Sequence, residues 1–324
     1  MHNSELLDIS RLSKSFSVSA GLFTRRRGRV YAVNEVSLTV RRGETLGLVG
    51  ESGCGKSTLA RLVLRLLEPD SGIVSLNGRN IYEFDRDGML DFRRRVQMIF
   101  QDPLSSLNPR MTVGRIIGEP LLIHKIVRRR ELRERVAELM ETVGLRADAA
   151  NRYPHEFSSG QRQRVGIARA LSLNPECIIA DEPVSSLDVS IQAQTLNLFA
   201  DLQARLHLTY VFISHDLSVV RHICDRVAVM YAGSIVEIAP RETLYTTPLH
   251  PYTEALLSAV PVPDPANRRA HIALNGEPPG PFSRSRGCVF AMRCPIARKD
   301  LCTQRQPELE EKRAGHRVAC FLRT

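Results

Sequence analysis

The chain has 324 residues, too many for one average domain and enough for one large or two modest ones. With 43% hydrophobic and 25% charged residues it has the composition of a folded globular protein, which excludes wholesale disorder. The formal net charge of +10 suits phosphorylated ligands, anionic lipid or nucleic acid, but the absence of Trp and an aromatic share of only 6% argue against a base-stacking nucleic-acid platform.

The first residues lack a basic, then apolar, leader, and no window reaches about 18 uninterrupted apolar residues. The most apolar stretch, 116–127, contains Glu119, His124 and Lys125. A cytoplasmic chain without a membrane span is expected. Its cysteines should then be reduced, so a cluster of them points to metal or redox chemistry before disulfides.

Segments 6–9 and 31–40 alternate apolar and polar residues and read as half-buried strands. Between them, 17–28 reads as a loop. Its run Thr24-Arg25-Arg26-Arg27-Gly28-Arg29 is either a solvated loop or a contact with lipid headgroups or a partner. The apolar run 44–50 ends in glycine, as a buried strand entering a turn does. Apolar residues at 59, 62, 63, 66 and 67 predict a helix over 57–67, so the glycine-rich stretch 50–55 joins a strand to a helix. Strands are predicted at 72–76 and 96–100.

From about 102 to 175 the pattern is helical. One amphipathic helix is predicted over 130–143, with Gly144 placed to end it, and another over 161–173. Buried strands at 177–180 and 210–213 flank a helix over 191–206. Strands alternating with helices imply an α/β core with a mostly parallel sheet, into which 102–175 is inserted as a helical subdomain. After about Pro240, prolines crowd the chain from Pro248 to Pro281, and this region reads as extended linker. Beyond it, 284–324 is basic and holds Cys288, Cys294, Cys302 and Cys320.

The strongest motif is Gly50-Glu51-Ser52-Gly53-Cys54-Gly55-Lys56-Ser57, followed by Thr58, which fits G-x-x-x-x-G-K-[ST] between a strand and a helix. In such a loop backbone N–H groups turn inward around phosphates and the helix N-terminus adds its dipole. Lys56 would reach the β/γ-phosphates and the Ser57 hydroxyl would coordinate Mg²⁺. Asp181 and Glu182 end a buried strand, where α/β sheets place ligands. Asp181 suits the Mg²⁺ shell, and Glu182 is positioned to polarise an attacking water.

Phe157-Ser158-Ser159-Gly160-Gln161-Arg162-Gln163-Arg164 resembles the signature motif of ATP-binding-cassette (ABC) ATPases, and its distance before Asp181-Glu182 also matches that family. Asp181 to Asp188 resembles the family's Walker B and D-loop, and Ser214-His215-Asp216 its switch-histidine motif. Gln101 stands where the family has its Q-loop glutamine, and Tyr31 where it packs an aromatic residue against adenine. The resemblance implies a P-loop core with an N-terminal antiparallel β region. It also implies two subunits that sandwich ATP, so that Ser158, Gly160, Gln161 and Asp188 serve the partner's nucleotide. Gln101 would link Mg²⁺ and water to the helical block, and His215 would face the γ-phosphate. The family usually has glycine where this chain has Ser159.

Thr247-Pro248-Leu249-His250-Pro251-Tyr252-Thr253, the prolines and the cysteines resemble the C-terminal extension of oligopeptide/dipeptide importer ATPases. The insertion Gly21-Leu22-Phe23 and the stretch Gln101 to Pro109 are also similar to that subfamily, most of all to the second, F-type, of its two ATPase subunits. The implied organisation is an ABC domain over 1–240 and an extension over 241–324. The implied partners are two membrane-spanning permease subunits, a second ABC ATPase subunit and, indirectly, an extracytoplasmic binding protein, with no nucleic acid. The implied place is peripheral, on the cytoplasmic face of the inner membrane. Peptides are the default solute, and nickel complexes, sugars and modified peptides are carried by close relatives. Two other readings compete. A soluble ABC protein acting on ribosomes or DNA repair suits the positive charge but usually carries two cassettes or long coiled coils. A signalling GTPase lacks the signature and would carry Asn-Lys-x-Asp.

The tail cysteines follow C-x5-C-x7-C-x17-C. Four thiolates can bind an iron–sulfur cluster or Zn²⁺. Zinc sites usually use shorter knuckles, Cys294-Pro295 resembles ferredoxin-type sites, and Arg286, Arg293, Arg298 and Lys299 would offset cluster charge. A [4Fe–4S] cluster is the first expectation, zinc the second and unligated thiols the third, with a structural role in folding the tail.

Overall fold

A computed structural model describes residues 5–19, 27–102, 106–260, 272–274, 276 and 286–323. The arginine run at 24–29 and the Gly21-Leu22-Phe23 insertion lie largely outside them. The chain begins with two long strands, β1 (Glu5–Ser19) and β2 (Arg27–Arg41), then the short β3 (Thr45–Val49), all of whose residues are buried. Helix α1 (Lys56–Val63) follows the glycine-rich turn, then β4 (Ser71–Leu76) and β5 (Arg79–Asn80). Next come α2 (Arg86–Arg95), β6 (Val96–Ile99), α3 (Val113–Ile123), α4 (Leu132–Thr142) and α5 (Ser159–Leu171). The series β7 (Cys177–Asp181), α6 (Val189–Leu206), β8 (Thr209–Ser214) and α7 (Leu217–Ile223) leads to β9 (Arg226–Tyr231) and β10 (Ser234–Pro240). Then come α8 (Arg241–Thr246), α9 (Pro251–Ser258), the one-turn α10 (Lys299–Cys302), β11 (Glu310–Arg313) and β12 (His316–Val318).

Two compact units emerge. The first takes Arg41–Thr45 and Glu83–Ser214. Its strands β6, β7 and β8 pair in parallel, with Val96 beside Cys177 and Cys177 beside Thr209. The predicted helical block is present as α3, α4 and α5. Val136, Leu139 and Met140 form the buried stripe of α4. Gly144, at φ +71, ends that helix: its N–H donates to Glu141 and the Leu145 N–H to Met140, a Schellman cap.

The second unit takes Glu5–Val40, Leu46–Tyr82 and His215–Thr324. One antiparallel sheet runs β2-β1-β4-β5. In another, β3 pairs in parallel with β9, followed by antiparallel β10, β12 and β11. Helix α1 is shorter than predicted. The Leu66 N–H donates to Arg61 and the Arg65 N–H to Leu62, closing a Schellman cap with Arg65 at φ +50 in place of glycine.

The region after Pro240 is not wholly linker. It holds α8 and α9, and Pro251 is the first residue of α9, where its missing N–H costs nothing. The 261–271 portion lies outside the described residues. The tail and α9 also supply core residues to an aromatic cluster with Tyr231 of β9. Tyr231, Tyr252 and Phe290 meet edge-on or tilted with ring centroids 4.6–5.5 Å apart, and all three are buried.

Candidate functional site

In the second unit, β3 delivers the chain to Gly50 and α1 takes it up at Lys56. Gly50 has φ +155, and a Cβ there would stand 2.1 Å from the Met230 carbonyl oxygen; at Gly55, φ +112, it would stand 2.0 Å from that of Ala32. Neither position admits a side chain, which is the reason for glycine at both. Gly53, at φ +79, has open space around it and needs glycine only for its dihedral. Lys56 is only 5% exposed, and its ammonium donates to the Gly50 carbonyl at 2.8 Å and the Glu51 carbonyl at 3.0 Å. The loop is therefore closed around a buried cation. Ser52 is exposed, while Ser57 and Thr58 are half-buried on the first turn of α1. Burial pushes the Cys54 thiol above its ordinary range, so it is a packing group of the loop.

Tyr31 lies on β2, half-buried, one residue before the Ala32 carbonyl that abuts Gly55. His215 follows β8 directly. The next residue, Asp216, caps α7 by accepting from the Ser218 N–H at 2.8 Å.

The first unit holds the carboxylates. Asp181 ends β7 and is 6% exposed. Glu182 takes φ +46, left-handed backbone that costs a side-chain-bearing residue about 1–2 kcal/mol, and its N–H donates to Ile213 at 3.0 Å. The strain turns the chain sharply at the strand end. The Gln101 amide donates to Glu182 Oε2 at 3.1 Å, so two predicted residues far apart in sequence meet.

The signature segment forms a capping box. Ser158 Oγ accepts from the Gln161 N–H at 3.3 Å, and Gln161 Oε1 accepts from the Ser158 N–H at 3.0 Å. Asp188 caps α6 by accepting from the Ile191 N–H at 3.0 Å, and this bond heads the interactions that hold its carboxyl below the ordinary range. A Cβ on Gly160 would lie 2.4 Å from Ile191 Cγ2, so glycine lets the start of α5 close on the start of α6. Ser159, beside it, is half-buried.

The sequence alone does not reveal two ties between the region after Pro240 and the glycine-rich turn at 50–55. The Glu51 N–H donates to the Tyr252 phenol at 3.0 Å, and the Glu51 carboxylate pairs with Arg293 at 3.0 Å. The only signal was the His-Pro-Tyr wording. The four tail cysteines are free thiols. Cys288 is pushed up to about 11, chiefly by burial, with Cys294, Cys302 and Cys320 near enough to add to the shift. The Cys288 N–H donates to the Cys302 carbonyl at 2.7 Å. Among the described residues no group of three or more His, Cys, Asp or Glu side chains is arranged to hold a metal ion, and no helix is long and apolar enough to cross a membrane.

The family model for ABC transporters matches residues 33–185, and that for the oligopeptide/dipeptide transporter C-terminal region matches 236–302. Over 98% of its length the chain is 52% identical to the oligopeptide transport ATP-binding protein AppF of Bacillus subtilis, covering 97% of that protein. The chain belongs to the ABC transporter ATP-binding subunits. A probable peptide ABC transporter ATP-binding protein of Sinorhizobium fredii, y4tS, is likewise 52% identical over 98% of this chain and 90% of its own length. Among solved structures, the ATP-binding cassette MJ0796 in a dimeric post-hydrolysis state with ADP and Pi superposes with a TM-score of 0.65 at 28% identity, covering 73% of this chain and 99% of that one. CbiO1 of Clostridium perfringens, part of an ABC transporter complex, gives 0.64 at 26% identity over 75% of this chain and 91% of its own. This ABC subunit thus has the α/β cassette fold of an ATPase.

Proposed function

We propose that this ABC subunit hydrolyses ATP to drive the import of di- or oligopeptides across the cytoplasmic membrane, working from the cytoplasmic face. The observation that carries the peptide reading is the 52% identity to an oligopeptide transport ATP-binding protein over 98% of this chain, extension included. In this reading residues 1–240 are the cassette, with 102–175 as its helical subdomain, and 241–324 are the importer-specific extension.

Tyr31 packs on adenine. The turn from Gly50 to Gly55 presents its amides to the phosphates, with Lys56 on the β/γ side and Thr58 supporting the helix start. Ser57, Asp181 and Gln101 offer the hard oxygen donors that Mg²⁺ takes and would hold it; Gln101, donating through its amide nitrogen to Glu182, keeps its oxygen for the cation. Mg²⁺ supplies neutralisation of phosphate charge. Glu182 orients and deprotonates the attacking water, and His215 steadies the γ-phosphate. Ser158, Gly160, Gln161 and Asp188 complete the site of a second ATPase subunit of different sequence. Two permease subunits receive the motion of the helical block, and an extracytoplasmic binding protein delivers the peptide.

Cys288, Cys294, Cys302 and Cys320 are soft donors of the kind such a metal takes, although among the described residues no three of them are arranged to hold an ion. They would hold a [4Fe–4S] cluster, with Zn²⁺ as the alternative, and the metal supplies cross-links that fold the tail.

The experiment is purification of the tagged chain from membranes, identification of its companions, and ATP-driven uptake into vesicles of labelled peptides against nickel chelates and sugars. Co-purifying permeases and a second ATPase, with peptide uptake abolished by Lys56→Ala, support the reading. A ribosome- or DNA-bound chain without permeases overturns it.

A further inference from the structure

Glu51 is the second residue of the phosphate loop, and four groups hold it. Its carboxylate takes two bonds from Arg293 Nη1, at 3.0 and 3.2 Å. Its N–H is bound by the phenol of Tyr252 at 3.0 Å, and its carbonyl by Lys56 at 3.0 Å and the Cys54 N–H at 3.2 Å. The last two partners belong to the loop. Arg293 and Tyr252 come from the C-terminal extension and are separated from Glu51 by more than 200 positions.

Arg293 is itself fixed. Its side chain is 9% exposed, its guanidinium donates to the Tyr231 phenol at 3.3 Å, and it lies 5.8 Å from the centre of that ring. Tyr231, the last residue of β9, packs on Tyr252 and Phe290, so the guanidinium stands on an aromatic cluster that the extension shares with β9. An unpaired carboxylate at this point would face the same loop that must take a polyanion, and like charges within a few ångströms repel strongly where solvent is partly excluded. The guanidinium cancels that charge and, through Nη1 shared between both carboxylate oxygens and the Tyr231 phenol, fixes its direction.

We propose that Arg293 is a positioning residue of the ATP site. By neutralising and holding Glu51 it makes the phosphate loop competent for nucleotide, so that ATP affinity depends on a folded C-terminal extension. The proposal rests on the assignment of Lys56 and its loop to ATP.

The test is equilibrium binding of a fluorescent ATP analogue to the full-length chain, with the thermal midpoint measured without nucleotide. Lys56→Ala checks the underlying assignment: if it binds like wild type, the loop is not the ATP site. With that control lost as expected, Arg293→Gln should raise Kd by about tenfold. Arg293→Lys should recover part of the loss, as a cation that keeps the charge but lacks the planar contact with the Tyr231 ring does. The deciding variant is Glu51→Gln combined with Arg293→Gln, which removes the stranded carboxylate and should bring Kd back towards wild type. If Arg293→Gln binds like wild type, the proposal is wrong. It is equally overturned if the double variant stays as weak as Arg293→Gln while both melt early, since Arg293 would then serve packing alone.

Discussion

The side-chain amide of Gln101 donates to a carboxylate oxygen of Glu182 at 3.1 Å, joining the loop after β6 to the residue that follows β7. The contact orients a carboxylate whose own backbone is held at φ +46, so the position of Glu182 is fixed from both sides. A general base contributes to the chemical step rather than to ground-state binding. Glu182→Gln should therefore leave ATP binding nearly unchanged and lower turnover in the assembled transporter by about 10²-fold or more. Single-turnover hydrolysis beside nucleotide binding checks it, and wild-type turnover would remove Glu182 from the role.

His215 stands between the end of β8 and the capping residue of α7, a junction that fixes its backbone. A group facing the γ-phosphate matters most as that phosphate leaves. His215→Ala should lower kcat by about 10²-fold with little change in Kd for ATP. Equal loss of both, with a lower melting temperature, would mark it as a packing residue.

Glu237 of β10 and His316 of β12 meet at 2.6 Å, both wholly buried. The same carboxylate accepts from the N–H groups of Leu249 and His250, at 2.7 and 3.0 Å. One side chain thus ties the last strand and the start of α9 to β10. Removing it leaves two buried N–H donors without an acceptor, so Glu237→Ala should destabilise the extension by about 2 kcal/mol or more. Urea unfolding monitored by protease sensitivity of the tail would measure this.

His250 caps α9 by accepting from the Tyr252 N–H through Nδ1 at 3.1 Å. Burial pushes its pKa down to about 4, with Glu237 opposing the shift and Arg323 adding to it. At neutral pH the ring is uncharged in both folded and unfolded chains and adds no pH dependence. Below its ordinary value of about 6.5 the unfolded chain takes up the proton and the folded one does not, so stability falls as pH drops towards 4, by up to about 1.4 kcal/mol per unit. His250→Asn, which keeps a capping acceptor but does not titrate, should flatten that part of the stability–pH curve.

The cassette motifs were legible because each is a local strand–turn–helix unit. The Ser158–Gln161 capping box carries its reason within a few residues, whereas Gly50 and Gly55 are required by the distant carbonyls of Met230 and Ala32. Three features were not legible. Helix α2 was missed because among its charged residues only Phe92 is buried, leaving no apolar period to see. Helix α1 stops early because Arg65, rather than glycine, takes the left-handed cap. The prolines after 240 suggested linker, whereas Pro251 starts a helix and Tyr252 reaches the phosphate loop, a contact that no spacing in the sequence encodes.

The tail cysteines give the last prediction. A Cβ on Gly287 would stand 2.2 Å from the Cys302 carbonyl oxygen, so glycine lets the backbone beside Cys288 close on Cys302. The remaining thiols, Cys294 and Cys320, are half-buried, and burial raises both. Burial disfavours the charged form of Cys288, Cys294 and Cys320, so a metal ligated here must itself drive the deprotonation of its ligands. Anaerobic purification of the full-length chain should give brown protein with iron and sulfide each near about four atoms per chain. Replacing any one of Cys288, Cys294, Cys302 or Cys320 by Ser should remove the colour and expose the tail to protease, with hydrolysis affected only through the tail. Colourless protein with one zinc would transfer the site to zinc, and metal-free protein from both anaerobic and zinc-supplemented preparations would leave the cysteines as unligated thiols.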